Sequence, residues 1–203
     1  MIDKVVAHHR ILGVDPGTLF MGYAVLDTEG QKVSIVDFGV LDVHKMEGQY
    51  PRLQKEFFFL QELIDQYKPS CLAIETQFVD KNPQTMIKIV HAQGVAIAAA
   101  IVRDIPIHEY EPRKIKVAIT GNGAASKEQV AGMLQRMLHI SAEDMEVQMD
   151  ATDALAAAYC HFIQMGAPQS EKKYSSWKDF VKKRGLIPNP SPKDEGCSKT
   201  KEE

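Results

Sequence analysis

Ile11-Leu12-Gly13-Val14-Asp15-Pro16-Gly17-Thr18, continuing to Gly22-Tyr23-Ala24-Val25-Leu26, is the stretch on which the fold turns. Two apolar runs flank a Pro-Gly pair, the pattern of a strand, a tight turn and a second strand. Asp15 ends the first run. Aspartate is a poor strand former, so it serves either as a turn residue bonding the backbone near Pro16 and Gly17 or as a functional carboxylate. The choice depends on where the other acids fall.

Working outward, Val33 to Val43 reads as a third strand, reached through the turn-like Thr28-Glu29-Gly30. The three strands predict an antiparallel meander. From Arg52 to Tyr67, Leu53, Phe57, Leu60, Leu63, Ile64 and Tyr67 recur at the spacing of an amphipathic helix, and Lys68-Pro69-Ser70 stops it. Cys71-Leu72-Ala73-Ile74 follows as a short buried strand ending in Glu75. Strands joined through a helix are normally parallel with a right-handed crossover. If the strands at Ile11 and Leu72 are neighbours, Asp15 and Glu75 share one sheet end, about 4.8 Å apart.

Asn82-Pro83 predicts a helix start, with Asn as cap and Pro at the first helical position, running to about Arg103. Its second half, Gly94 to Val102, is apolar all round, which predicts cover on both sides, by the sheet and by a second subunit or another helix of the chain. Ile105 to Tyr110 reads as a fifth strand and Pro112 to Ile119 as a short helix. Ser126 and Gln129 have capping-box spacing before Val130, Met133, Leu134, Met137 and Leu138. The last helix is expected from about Asp150 to Gln164. Residues 1–166 therefore form one domain; residues 167–203, with Trp177 and a Lys-rich composition, read as a basic, partly disordered tail.

The 203 residues carry a net charge of -3, yet Lys81 to Lys127 holds seven Lys and Arg against three acids, a local +4. A near-neutral total can conceal a basic groove beside an acidic pocket, and ordinary solvated surface fits the same charge count equally well. No apolar run approaches a membrane span, and Met1-Ile2-Asp3-Lys4 lacks a signal-peptide pattern. Cys71, Cys160 and Cys197 have neither disulfide nor metal-ligand spacing, and the seven histidines form no His-Glu-x-x-His pair. A reducing cytoplasm is expected, and a zinc site is not.

Asp150-Ala151-Thr152-Asp153 adds two acids three apart, on one helix face. Acids at a helix start also serve as cap and dipole partners. Together with Asp15 and Glu75, however, they make four carboxylates converging on one place. Such a group repels itself unless divalent cations neutralise it. Oxygen-only ligands select Mg²⁺ or Mn²⁺, and two such ions about 4 Å apart suit phosphodiester cleavage. No Ser-His-Asp or Cys-His spacing offers a competing nucleophile.

Ile11-Leu12-Gly13-Val14-Asp15-Pro16-Gly17, Ala73-Ile74-Glu75 and Asp150-Ala151-Thr152-Asp153-Ala154-Leu155-Ala156, taken with Lys81-Asn82, Ala92-Gln93-Gly94-Val95 and Gly121-Asn122-Gly123-Ala124-Ala125-Ser126-Lys127, resemble the RuvC family of bacterial Holliday junction resolvases across residues 10–165. The resemblance implies an α/β, ribonuclease-H-like five-stranded mixed sheet flanked by helices. It also implies a homodimer that nicks opposed strands of a four-way DNA junction with Mg²⁺, alongside a branch-migration helicase complex and with no membrane partner. Asp15, Glu75, Asp150 and Asp153 match the catalytic, metal-binding acids. Phe78 matches an aromatic that stacks on a junction base. Lys116 and Lys127 match basic residues near the scissile phosphate; Lys81, Arg113 and Lys114 are expected on the DNA backbone. Thr76-Gln77-Phe78-Val79-Asp80 departs from the commonest family wording, and Asp80 adds a negative charge near DNA. Two rivals stand beside this reading. Asp15-Pro16-Gly17-Thr18 also resembles the phosphate loop of actin-like ATPases and sugar kinases, and a junction-binding protein without catalysis is the other.

Overall fold

The computed structural model describes residues 8–76, 82–141, 143 and 151–166. Three strands open it: β1 (His8–Asp15), β2 (Phe20–Glu29) and β3 (Lys32–Asp42). They form the expected antiparallel meander, with Asp15 opposite Gly22 and Tyr23 opposite Gly39. Gly17 is required at the first turn, because a Cβ there would lie 2.0 Å from the Phe20 carbonyl oxygen.

Helix α1 (Gln49–Tyr67) starts three residues before the expected Arg52, directly after Gly48 at φ 83°. It leads to β4 (Cys71–Glu75), which lies parallel to β1 with Ile11 opposite Cys71 and Val14 opposite Ile74. Helix α2 (Pro83–Ile101) begins as expected: the Asn82 side chain accepts from the backbone N–H of Gln84 and Thr85. It stops at Ile101 rather than Arg103, and the chain turns through Asp104 at φ 54°. Strand β5 (Ile107–Tyr110) begins only after Pro106, which has no N–H to give the ladder, although its carbonyl accepts from Leu72. It runs parallel to β4 with Ala73 opposite His108. The sheet order is β3-β2-β1-β4-β5, a five-stranded mixed sheet.

The remaining elements are α3 (Pro112–Thr120), α4 (Lys127–Leu138) and α5 (Thr152–Gly166). The capping box at Ser126 and Gln129 is formed in both directions.

Alternation of side chains divides the core into two layers. Ile11, Cys71, Ala73 and Tyr110 face α3, α4 and α5. Leu12, Val14, Leu72 and Ile74 face Leu60, Leu63 and Ile64 of α1 and Ala96, Ala99 and Ala100 of α2. Helix α5 lies against β1 at backbone contact, since a Cβ on Gly13 would meet the Ala154 carbonyl oxygen at 2.2 Å.

Of the two covers expected for the second face of α2, the described residues supply no helix of this chain: Ala92, Ala96, Ala99 and Ala100 are buried, whereas Ile87, Val90, Ile101 and, just past the helix, Val102 are 55%, 46%, 61% and 58% exposed. Helix α1 packs beside it and leaves that outer face open among the described residues. By length and composition Pro83–Ile101 is also apolar enough to cross a membrane, contrary to the reading that no segment approaches a span. Here its small residues form the face that packs on the sheet.

Candidate active site

The parallel register places the first two acids. Because Val14 pairs with Ile74, Asp15 and Glu75 are adjacent at the carboxyl ends of β1 and β4. Both continue the alternation of Ile11-Gly13 and Cys71-Ala73, so both belong to the α5 side of the sheet. Close packing at Gly13 then brings the first turn of α5, which carries Asp153, over those strand ends.

Asp15, Glu75 and Asp153 line one cleft of about 430 Å³ with Gly17, Lys116 and Lys127. The cleft is an open one, and its charged groups interact. Burial and the neighbouring Asp153 push the Glu75 carboxyl up to about 7, against the opposing pull of Lys127 and Lys116. Lys127 Nζ donates to Asp153 Oδ2 at 2.5 Å. That bond, with the further charges of Asp15 and Glu75, holds the Lys127 ammonium above its ordinary range. Lys127 is the first residue of α4, so the capping box at Ser126 fixes where its side chain departs.

The donor set is carboxylate oxygen, converging from two strands and one helix. Such a set suits a hard divalent ion such as Mg²⁺ and disfavours softer ones. Among the described residues, Asp15, Glu75 and Asp153 would hold it.

The other expected site residues divide. Asp150, Phe78 and Lys81 lie outside the described residues, as does the tail from 167 to 203. Arg113 and Lys114 are exposed on α3. Lys114 Nζ sits 5.1 Å from the centre of the Tyr110 ring, and the Arg113 side chain packs against Gly123.

Two features escaped the reading of the sequence. A smaller cleft of about 210 Å³ shares Gly17 with the acidic one and is lined by Thr18, Arg52, Glu56 and Lys88. Arg52 Nε donates to the Met46 carbonyl at 2.9 Å, tying the start of α1 to the loop after β3. Glu56 is 1% exposed and Oε2 has no hydrogen-bond partner; burial pushes its carboxyl up to about 7 against the pull of Arg52. The signal in the sequence was the four-residue spacing of Arg52 and Glu56 on one helix face. The second feature joins residues far apart in sequence, where spacing gives no metal-site signal. Cys71, His108 and His161 offer ligand atoms that all lie within 4.8 Å of one another.

Comparison with known proteins gives a consistent answer. Residues 11–161 match the family profile of crossover junction endodeoxyribonuclease RuvC. The crossover junction endodeoxyribonuclease RuvC of Bacteroides fragilis is 58% identical over 173 residues, covering 85% of this chain and 92% of that protein. The corresponding Porphyromonas gingivalis protein is 53% identical over 174 residues, covering 84% and 92%. The structure of T. thermophilus RuvC in complex with Holliday junction substrate superimposes with a TM-score of 0.72 at 26% identity, covering 78% of this chain and 95% of that one. The mixed five-stranded sheet with its flanking helices is thus ribonuclease-H-like. With the family profile matching well over half of its length, the chain belongs to the RuvC family of crossover junction endodeoxyribonucleases.

Proposed function

We propose that this protein is a structure-selective endodeoxyribonuclease that resolves four-way DNA junctions by metal-dependent nicking of opposed strands. The observation that carries the reading is the in-register pair Asp15 and Glu75, with Asp153 in the same cleft beside Lys116 and Lys127. The family relatives are named for this activity, and the structural relative was seen with a Holliday junction.

Asp15, Glu75 and Asp153 would hold Mg²⁺, with Asp150 the fourth acid that the family resemblance implies. When bound, the ion supplies Lewis acidity and activation of water for phosphodiester cleavage. The chain's own side chains do the rest. Without a cation, burial and Asp153 push the Glu75 carboxyl up to about 7, so binding the ion would draw off its proton and weaken below neutral pH. Lys116 and Lys127 bring positive charge to the edge of an otherwise acidic cleft, where a phosphate must approach. Arg113 and Lys114 on α3, with Lys81, extend that charge along the backbone of the duplex, so binding weakens as salt rises. Phe78 stacks on a base exposed at the junction centre.

A four-way junction is nearly two-fold, so a two-fold enzyme meets opposed strands symmetrically. The open face of α2, with Ile87, Val90, Ile101 and Val102, is the surface through which two copies pair. A branch-migration helicase partner rests on the family resemblance alone.

The test is a synthetic four-way junction incubated with protein and Mg²⁺, with nicks mapped on each strand. Symmetric nicks on opposed strands are expected. Asp15→Asn should bind the junction and fail to cut it, because the lost charge weakens the cation site more than the phosphate contacts. Full cutting by Asp15→Asn, or cutting that survives EDTA, would overturn the reading.

A further inference from the structure

Two buried polar side chains and one half-buried one meet on the α5 side of the sheet, away from the acidic cleft. Cys71 opens β4, His108 lies in β5 and His161 is in the third turn of α5. Their meeting follows from register. Ala73 pairs with His108, so Cys71, Ala73, His108 and Tyr110 lie on one face, and α5 crosses that face. Cys71 is 5% exposed and His161 6%, while His108 keeps partial contact with solvent. One ligand atom from each of the three lies within 4.8 Å of the other two.

We propose that Cys71, His108 and His161 form a transition-metal site, selective for a Zn²⁺-class ion and separate from the carboxylate cleft.

The chemistry favours this over simple filling of the core. A thiolate with two imidazoles is the soft and borderline donor set that Zn²⁺ takes up and Mg²⁺ rejects. Tyr110 Oη lies 2.6 Å from His161 Nδ1. When the hydroxyl oxygen accepts the Nδ1–H proton, the Nε2 lone pair is left for the metal, the kind of outer partner that fixes ring orientation in metal sites. His108 and His161 stack with ring centres 4.1 Å apart at 28°, so the part-exposed His108 ring must turn for both lone pairs to meet one ion. On binding, the Cys71 thiol would give its proton to solvent. Three protein donors leave the fourth tetrahedral position to water, entering at the part-exposed edge of His108.

Location sets the consequence. Cys71 stands four residues before Glu75 on β4, about 13 Å along the strand at ~3.3 Å per residue. An ion there ties β4, β5 and α5 together, the elements that carry Glu75 and Asp153. It acts as a clasp beneath the acidic cleft and donates nothing to it.

The experiment uses the full chain, stripped with a chelator, kept reduced with a phosphine and titrated with Co²⁺ as a spectroscopic stand-in for Zn²⁺. One equivalent should bind with the near-ultraviolet sulfur-to-cobalt charge-transfer band, be displaced by Zn²⁺ and be untouched by excess Mg²⁺. Cys71→Ser should abolish the band. Cys160→Ser, which removes the other buried thiol among the described residues, should keep it, as should Asp15→Asn in the acidic cleft. Should Cys71→Ser fail to fold by circular dichroism, His108→Gln, at a part-exposed position, should lower Co²⁺ affinity at least tenfold in a folded protein. Zn²⁺ at a hundred times its Kd should reduce the unfolded population about a hundredfold in wild type, and in neither ligand variant. Absence of the band in wild type, its persistence in Cys71→Ser, undiminished affinity in His108→Gln or displacement by Mg²⁺ would each overturn the proposal. Because no nuclease assay enters, the outcome is independent of the proposed cleavage activity.

Discussion

Replacing Glu75 by Gln should stabilise the protein while destroying the activity proposed for it, and the size of the gain depends on pH. In the fold, burial first and Asp153 second raise the Glu75 carboxyl from its ordinary 4.5 to about 7, with Lys127 and Lys116 opposing. A raised carboxyl means that the native state keeps a proton which the unfolded chain has already released between those two values. Stability therefore falls as pH rises from 4.5 to about 7 and is level above that. At about 1.4 kcal/mol per pH unit the gap caps the effect at about 3 kcal/mol. The carboxylate still meets solvent in the cleft, and screening reduces this to about 1–2 kcal/mol. Glu75→Gln has no charge to bury, so in EDTA it should exceed wild type by that amount at pH 8 and match it at pH 4. Urea unfolding at both pH values measures the difference. Added Mg²⁺ should reverse the order by stabilising wild type, about 2.7 kcal/mol at a hundred times Kd, and leave the variant nearly unmoved. A stability difference that is the same at pH 4 and pH 8 would refute the electrostatic account of this cleft.

Gly13→Ala should lower the melting temperature by several degrees, because its Cβ would lie 2.2 Å from a backbone oxygen of α5 and overpacking costs about 1–3 kcal/mol; an unchanged melting curve would show that α5 is not seated on β1 this closely. Ile101→Glu places a charge on the open face of α2, where Ile101 is 61% exposed, and should convert a dimer to monomers in sedimentation with little loss of folding. A wild-type monomer at micromolar concentration would rule out that interface. Phe78→Ala should lose about 1–3 kcal/mol of base stacking, slowing cleavage of intact junctions more than of junctions pre-opened by unpaired bases. Equal slowing on both substrates would retire the stacking role.

Much of this was legible in the chain itself, wherever the governing physics is short in range. Alternation and a Pro-Gly turn define β1 and β2 because each strand has one face in each core layer. Asn82 and Ser126 announce helix starts because a cap satisfies donors only two or three residues away, and both caps are formed. Even the pairing of Asp15 with Glu75 could be foreseen, since a helix between two strands nearly dictates parallel neighbours in right-handed connection. What the sequence could not determine are contacts set by register and by helix docking. Nothing local says that Ala73 pairs with His108, yet that register brings Cys71 and His108 together, and the seating of α5 at Gly13 adds His161. The same docking gives Lys127 its partner in Asp153, 26 residues away. The apolar half of α2 has a composition that fits cover on every side, and only the packing of α1 beside it shows which face stays open. Side-chain pattern records which residues want burial; which of them meet is decided by backbone geometry summed over the whole sheet.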